Sequence, residues 1–245
     1  WRLIVVNKIF YYFLLFFIYS FLGWCMESTL VSIKQKRFVN RGFLIGPYCP
    51  IYGFGSVIII FYLERYKNDI ITTFILGMFI CSVLEYFTSY IMEKLFKARW
   101  WDYSERKFNL NGRVCGKNTV LFGLGGLFII YIVQPLVSIF INSINVTILN
   151  YLTCLFFIIY ITDAILSFKI INKLKASLSN IEIKKDSTQE FRNLARDLIN
   201  GKIGDNKFNI NIWQRRVIKA FPNVDLSKYI SYKKRNIKKL FRKGK

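Results

Sequence analysis

The apolar stretch Phe10–Ile33 reads FYYFLLFFIYSFLGWCMESTLVSI and contains a single charged residue, Glu27. A helix needs about 20 mostly apolar residues to cross a hydrocarbon core about 30 Å thick, so this stretch can span a bilayer. Four more apolar stretches follow, and too little chain remains to cover all five in a soluble core. The sequence therefore predicts an all-α membrane protein with about five transmembrane helices. The predicted spans are Ile9–Ile33, Phe43–Leu63, Ile70–Ile91, Val114–Ile139 and Val146–Phe168.

Positive charge is concentrated at the C-terminal end of the chain. Residues 169–245 contain 21 of the 36 Lys and Arg residues. We therefore predict a transmembrane domain, residues 1–168, followed by a basic, mostly helical cytoplasmic tail, residues 169–245. Each basic residue near an anionic leaflet can add about 1 kcal/mol of attraction. Anionic lipid headgroups are the expected partners of the tail, and nucleic acid is not expected.

Basic residues also mark every second connection between the predicted spans. The loops after spans one and three are rich in Lys and Arg, whereas the loop after span four has none. Because Lys and Arg accumulate in cytoplasmic loops, the N-terminus is expected outside and the tail inside. The basic residues of the two rich loops are Lys34, Lys36, Arg37 and Arg41, then Lys94, Lys97, Arg99, Arg106, Lys107 and Arg113.

A weak internal duplication relates the first two spans to the third and fourth. Four glycines recur at an offset of 70 residues, and Glu27 matches Glu85 at an offset of 58. We interpret this as a parallel repeat of two helices plus two. The alternative is that glycines recur because small residues let transmembrane helices pack closely. The matched glycines are Gly42 with Gly112, Gly46 with Gly116, Gly53 with Gly123 and Gly55 with Gly125.

Two carboxylates, Glu27 and Glu85, lie inside the predicted spans near their cytoplasmic ends. A carboxylate in the bilayer costs a few kcal/mol unless it is paired or protonated. Arg41 and Arg113 are the candidate partners, since they lie on the same predicted side. The cluster is either a substrate, ion or proton site, or a structural network that locks helices to loops. The remaining predicted members of the cluster are Asn40, Asn111 and Asp102.

The sequence lacks the usual motifs of metal centres and nucleotide hydrolysis. It has no histidine, and none of its five cysteines forms a CxxC pair, so no metal site or cofactor is predicted. The segment Gly112–Thr119 resembles a phosphate-binding loop, but its spacing is one residue short. Asn118 also stands where Ser or Thr would bind magnesium. We therefore expect no ATPase activity in this chain.

Four stretches of the chain resemble the CmpB-type ABC-transporter permease family of bacteria. They are Tyr19–Ser28 (YSFLGWCMES), Phe38–Gly53 (FVNRGFLIGPYCPIYG), Trp100–Tyr103 (WWDY) and Phe108–Arg113 (FNLNGR). The resemblance covers roughly residues 10–165 and supplies no catalytic residues. It implies a multi-pass permease-like subunit in the bacterial cytoplasmic membrane, with a separate ATPase as partner and the loop Lys94–Arg113 as its docking surface.

Two other functions stay open at the level of the sequence. The chain could be a membrane-embedded enzyme acting on lipid, with Glu27 and Glu85 as acid and base. It could also be a non-transporting scaffold or sensor that uses the tail as its effector. A homo-oligomer is a further open alternative, and the substrate of a transporter is not indicated.

Overall fold

A computed structural model describes residues 2–96 and 100–179, together with positions 213, 216, 217 and 220. The described chain is mostly helical, and its only strands among the described residues form one short antiparallel hairpin. The helices are α1 (Arg2–Gln35), α2 (Pro50–Leu63), α3 (Ile70–Phe96), α4 (Gly116–Phe128), α5 (Gln134–Asn142) and α6 (Val146–Ser179). A 3₁₀ turn covers Glu64–Tyr66 and a π-helical turn covers Ile129–Val133. The hairpin strands are β1 (Asn109–Leu110) and β2 (Val114–Cys115).

Four helical segments among the described residues are long and apolar enough to cross a membrane. The third of them combines α4, the π-helical turn and α5. Their length and composition confirm the predicted all-α membrane class and four of the five predicted spans. The segments are Lys8–Gln35, Ile70–Leu95, Gly116–Asn142 and Val146–Lys173.

The second predicted span is helical only from Pro50 onward. Helix α2 begins at Pro50, seven residues after the predicted start at Phe43, and it has 14 residues. At 1.5 Å per residue, such a helix rises about 21 Å, less than the hydrocarbon thickness of about 30 Å. Proline disfavours helical geometry in the residue before it, and Pro47 and Pro50 both lie in this stretch. A fifth spanning helix is therefore not confirmed.

The non-helical segment 37–49 returns along α1. The backbone N–H of Val39 donates to Ser32 Oγ at 2.9 Å, and that of Cys49 donates to the Ser20 carbonyl at 2.9 Å. These contacts extend over twelve residues of α1, which is about 18 Å along its axis. Irregular backbone at membrane depth is tolerated where protein covers it or where it lines a cavity. The packing against α1 supplies that cover.

The main apolar core lies where α1, α2, the π-helical turn and α5 meet. Leu15, Ile60 and Leu63 are buried at its centre. Beside this core, buried Gln134 accepts a hydrogen bond from Tyr19 Oη at 2.9 Å and donates to Tyr11 Oη at 3.2 Å. Pro135, which has no N–H, lies two residues after the end of the π-helical turn and accounts for the local departure from α geometry.

Two of the repeated glycines pack in the same way. A Cβ on Gly53 would collide with Phe16 and Ser20 of α1, so the helices α1 and α2 approach closely there. A Cβ on Gly123 would collide with residues of α3 that lie 58 positions after those of α1. These residues are Phe74 and Met78. The equivalent contacts support the predicted repeat, which stays a prediction.

By its internal contacts the chain forms two units. One consists of Trp1–Thr88 and Asp102–Ala164, and the other of Ser89–Trp101 and Ile165–Lys245. All seven predicted site residues belong to the first unit. Helix α6 continues to Ser179, past the predicted domain boundary at 168. The basic tail, apart from its first residues and four isolated positions, lies outside the described residues, and the domain boundary stays a prediction.

Candidate functional site

Glu27 forms the predicted pair with Arg41. Its Oε2 lies 3.5 Å from Arg41 Nε, and its Oε1 accepts a hydrogen bond from Tyr52 Oη at 2.5 Å. Gly23, one turn earlier on α1, leaves room for the Tyr52 ring, because a Cβ there would meet that ring. The Glu27 and Arg41 side chains are 31% and 26% exposed. Glu27 is therefore an ion-paired, partly hydrated carboxylate at the contact between α1 and α2.

Asn40 fixes the shape of the segment after α1. Its Oδ1 accepts hydrogen bonds from Trp24 Nε1 at 2.8 Å and from the Gly42 N–H at 3.2 Å. Its Nδ2 donates to the Ile45 carbonyl at 3.2 Å. Three hydrogen bonds use most of the capacity of this amide. Asn40 therefore positions Arg41 by holding the backbone on either side of it.

Glu85 has a different environment on α3. It is 8% exposed, and its Oε1 accepts a hydrogen bond from Tyr103 Oη at 3.2 Å. The side chain of Asn118, on α4, also hydrogen-bonds to this carboxyl group. Its Oε2 is buried and has no hydrogen-bond partner in the described part of the chain. The described groups that touch Glu85 are therefore neutral.

Arg113, the second candidate partner of the carboxylates, contacts the residue after Glu85. It is 9% exposed, and its guanidinium carbon lies 5.8 Å from the centroid of the Tyr86 ring. Such a contact is a cation–π interaction. Asn111 lies nearby, since its Nδ2 donates to Tyr86 Oη at 3.0 Å. Arg113 and Asn111 thus meet at Tyr86, the residue that follows Glu85.

Asp102 forms a turn at the start of the loop that leads to the hairpin. Its Oδ1 accepts hydrogen bonds from the Ser104 N–H at 3.0 Å and from Ser104 Oγ at 2.6 Å. This is the local turn that Asp commonly forms with a residue two positions later. The structure therefore places Asp102 in a turn next to Tyr103.

Two tyrosines link the carboxylates, and the sequence did not single them out. The phenols of Tyr52 and Tyr103 lie close enough for a charge on one to act on the other. Burial raises the pKa of Tyr103 above its ordinary value. Tyr103 therefore stays protonated at neutral pH and can donate to Glu85. Glu27, Tyr52, Tyr103 and Glu85 are therefore described together as one polar cluster.

Asp163 of α6 holds the segment before α2. Its carboxylate accepts hydrogen bonds from the Ile45 N–H at 3.0 Å, from the Gly46 N–H at 2.7 Å and from Tyr48 Oη. Three donors around one carboxylate satisfy a charge that would otherwise be costly inside a membrane. No local sequence signal relates these residues, since about 115 positions separate them. Asp163 therefore connects α6 to the non-helical residues that precede α2.

The described residues contain no group of three or more Cys, Asp or Glu side chains that could hold a metal ion. A family model described as "Putative ABC-transporter type IV" matches residues 14–168, which include every residue of this polar cluster. No curated protein and no solved structure matches the chain. The match covers well over half of the sequence and nearly all of its apolar helices. The chain is therefore a multi-pass membrane protein that belongs to this family, the CmpB-type family.

Proposed function

We propose that this chain is the permease-like subunit of an ABC-type transporter in the bacterial cytoplasmic membrane. Family membership over residues 14–168, the part that contains the four apolar helices, carries the proposal. A separate ATPase supplies the energy, because the glycine-containing segment Gly112–Thr119 departs from a phosphate-binding loop in spacing and in its magnesium ligand. The N-terminus lies outside and the C-terminus inside, as the distribution of Lys and Arg favours.

The hairpin after α3 is the best-supported docking surface for the ATPase. Phe108 is 91% exposed and Leu110 is 60% exposed, so two large apolar side chains project from a loop rich in basic residues. Phe108 has φ of 53°, an unusual value for a bulky residue. The Gly116 N–H donates to its carbonyl at 3.0 Å and holds this conformation. Exposed apolar side chains on a backbone held in this way suit contact with another protein.

Co-purification of an ATPase with the full-length chain tests this proposal. We expect ATP hydrolysis in preparations of the natural chain solubilised from membranes. The double variant Phe108→Ala with Leu110→Ala should lose most of that activity while keeping its yield in the membrane. Phe79→Ala is the matched control, because Phe79 is 67% exposed but lies in the middle of α3. If no ATPase accompanies the natural chain, the transporter proposal fails.

A membrane-embedded acid–base enzyme is less well supported. Such an enzyme would need Glu27 and Glu85 to exchange protons with a substrate. Glu27 is instead engaged by Arg41 and Tyr52, which hold it in its present position. The same contacts favour a structural role for Glu27.

A further inference from the structure

The two carboxylates of the polar cluster are not equivalent. Glu27 has a cationic partner, Arg41, and a tyrosine donor. Glu85 is almost fully buried, and its Oε2 has no hydrogen-bond partner among the described residues. The repeat predicts equivalent positions for these residues, but their electrostatic surroundings differ.

Every titratable or hydrogen-bonding group described against Glu85 is neutral at ordinary pH. Tyr103 faces it from the loop before the hairpin, and Asn118 faces it from α4. The thiol of Cys81 lies one turn earlier on α3, near enough that a charge on Glu85 would act on it. None of these groups supplies a positive charge, and the nearby guanidinium of Arg113 stacks on Tyr86.

An ionised Glu85 would be costly in this position. An unpaired charge in a low-dielectric interior is so unfavourable that buried acids usually become neutral instead. A neutral carboxyl group with one unsatisfied oxygen costs only about 1–3 kcal/mol. Because Oε2 is closed off from solvent, a hydrated cation has no access to it in this conformation. A proton is therefore the ligand that fits.

We propose that Glu85 is a proton-binding site in the cytoplasmic half of α3. It carries a proton while Tyr103 and Asn118 enclose it, and it releases the proton when these groups separate and water reaches the carboxyl group. Glu27 is paired with Arg41 and accepts a hydrogen bond from Tyr52, and it serves to hold α1 against α2. The inference goes beyond the proposed transport function, and its test needs neither a substrate nor an ATPase.

Infrared difference spectroscopy of the full-length protein in lipid nanodiscs tests the proposal. We expect the carbonyl stretching band of a protonated carboxylic acid at neutral pH, and its loss as the pH becomes alkaline. Glu85→Gln should abolish the band. Glu27→Gln, the matched control at the paired carboxylate, should retain it.

Three results would overturn the proposal. They are the absence of the band in the natural chain, its persistence in Glu85→Gln, and its loss on adding sodium or potassium at constant pH, which would identify a cation site. Tyr103→Phe provides a second measurement should Glu85→Gln fail to assemble. It removes the hydrogen bond to Oε1, so the frequency of the band should shift, and an unchanged frequency would also contradict the proposal.

Discussion

Single residues at the contact between α1 and α2 show how closely this chain is packed. Gly23 admits the ring of Tyr52, which then reaches Glu27, and Gly53 lies directly against Ser20 and the Phe16 backbone. Van der Waals contact rather than the hydrophobic effect drives much helix association in membranes, so small residues matter at such contacts. The position of Glu27 therefore depends on two glycines that have no chemistry of their own.

Replacing Gly53 by alanine should destabilise the protein. The new Cβ would collide with the carbonyl oxygen of Phe16, which cannot rotate away as a side chain could. Overpacking of this kind typically costs about 1–3 kcal/mol. Denaturation in detergent, followed by circular dichroism, would measure the loss.

Gly125→Ala is the matched control, since nothing lies within 4 Å of the position that its Cβ would take. This variant should be neutral, or slightly stabilising because alanine favours a helix. Equal stability of the two variants would contradict the close approach of α1 and α2 at Gly53.

At the scale of elements, α2 differs most from its expected form. Apolar composition predicted a full span from Phe43, but Pro47 and Pro50 disfavour helical geometry before Pro50, where the helix starts. Backbone N–H groups of the non-helical segment donate instead to the side chains of Asp163, Ser28 and Ser32. A helix break near a cluster of charges is a common feature of transport proteins.

Helix α3 has an N-terminal cap that should respond to pH. Asp69 accepts hydrogen bonds from the Thr72 hydroxyl at 2.6 Å and from the Thr72 N–H at 3.0 Å, and the side-chain bond is the main reason that its pKa lies below the ordinary value. A depressed pKa means that the cap stabilises the folded state above the unfolded pKa of about 4. This contribution is lost as the pH falls through the folded pKa.

Hydrogen exchange of the first turn of α3 would measure this effect. In the natural chain, protection of the Thr72 amide should decrease as the pH falls below about 4, after correction for the intrinsic exchange rate. Asp69→Asn should show little such pH dependence, because an amide cap does not titrate. The same pH dependence in both proteins would exclude Asp69 as its source.

For the whole molecule, the main remaining prediction is its orientation in the membrane. The loop before the hairpin and the turn after α5 should face opposite sides, since the segment Gly116–Asn142 is long enough to cross. Lys107 and Ser143 are both exposed. Lys107 precedes this segment, and Ser143 follows it directly. The distribution of Lys and Arg predicts that Lys107 is cytoplasmic.

Cysteine labelling in intact cells tests this orientation. In a background lacking the five natural cysteines, a membrane-impermeant thiol reagent added outside should label Ser143→Cys and leave Lys107→Cys unlabelled. Lysed cells provide the control, because both positions should then react. The reverse pattern in intact cells would invert the predicted topology.

The sequence alone determined the membrane class and four spanning helices, and it offered Arg41 as one of two candidate partners for the carboxylates. These features follow from local composition, because a run of apolar residues must leave water and a charge in a bilayer must find a partner. Only the tertiary structure decided that α2 is short, that Asp163 holds Ile45 and Gly46, and that Glu85 faces neutral donors. Those features depend on contacts between segments far apart in the chain. Hydropathy indicates which residues avoid water, but it does not indicate which side chains contact each other.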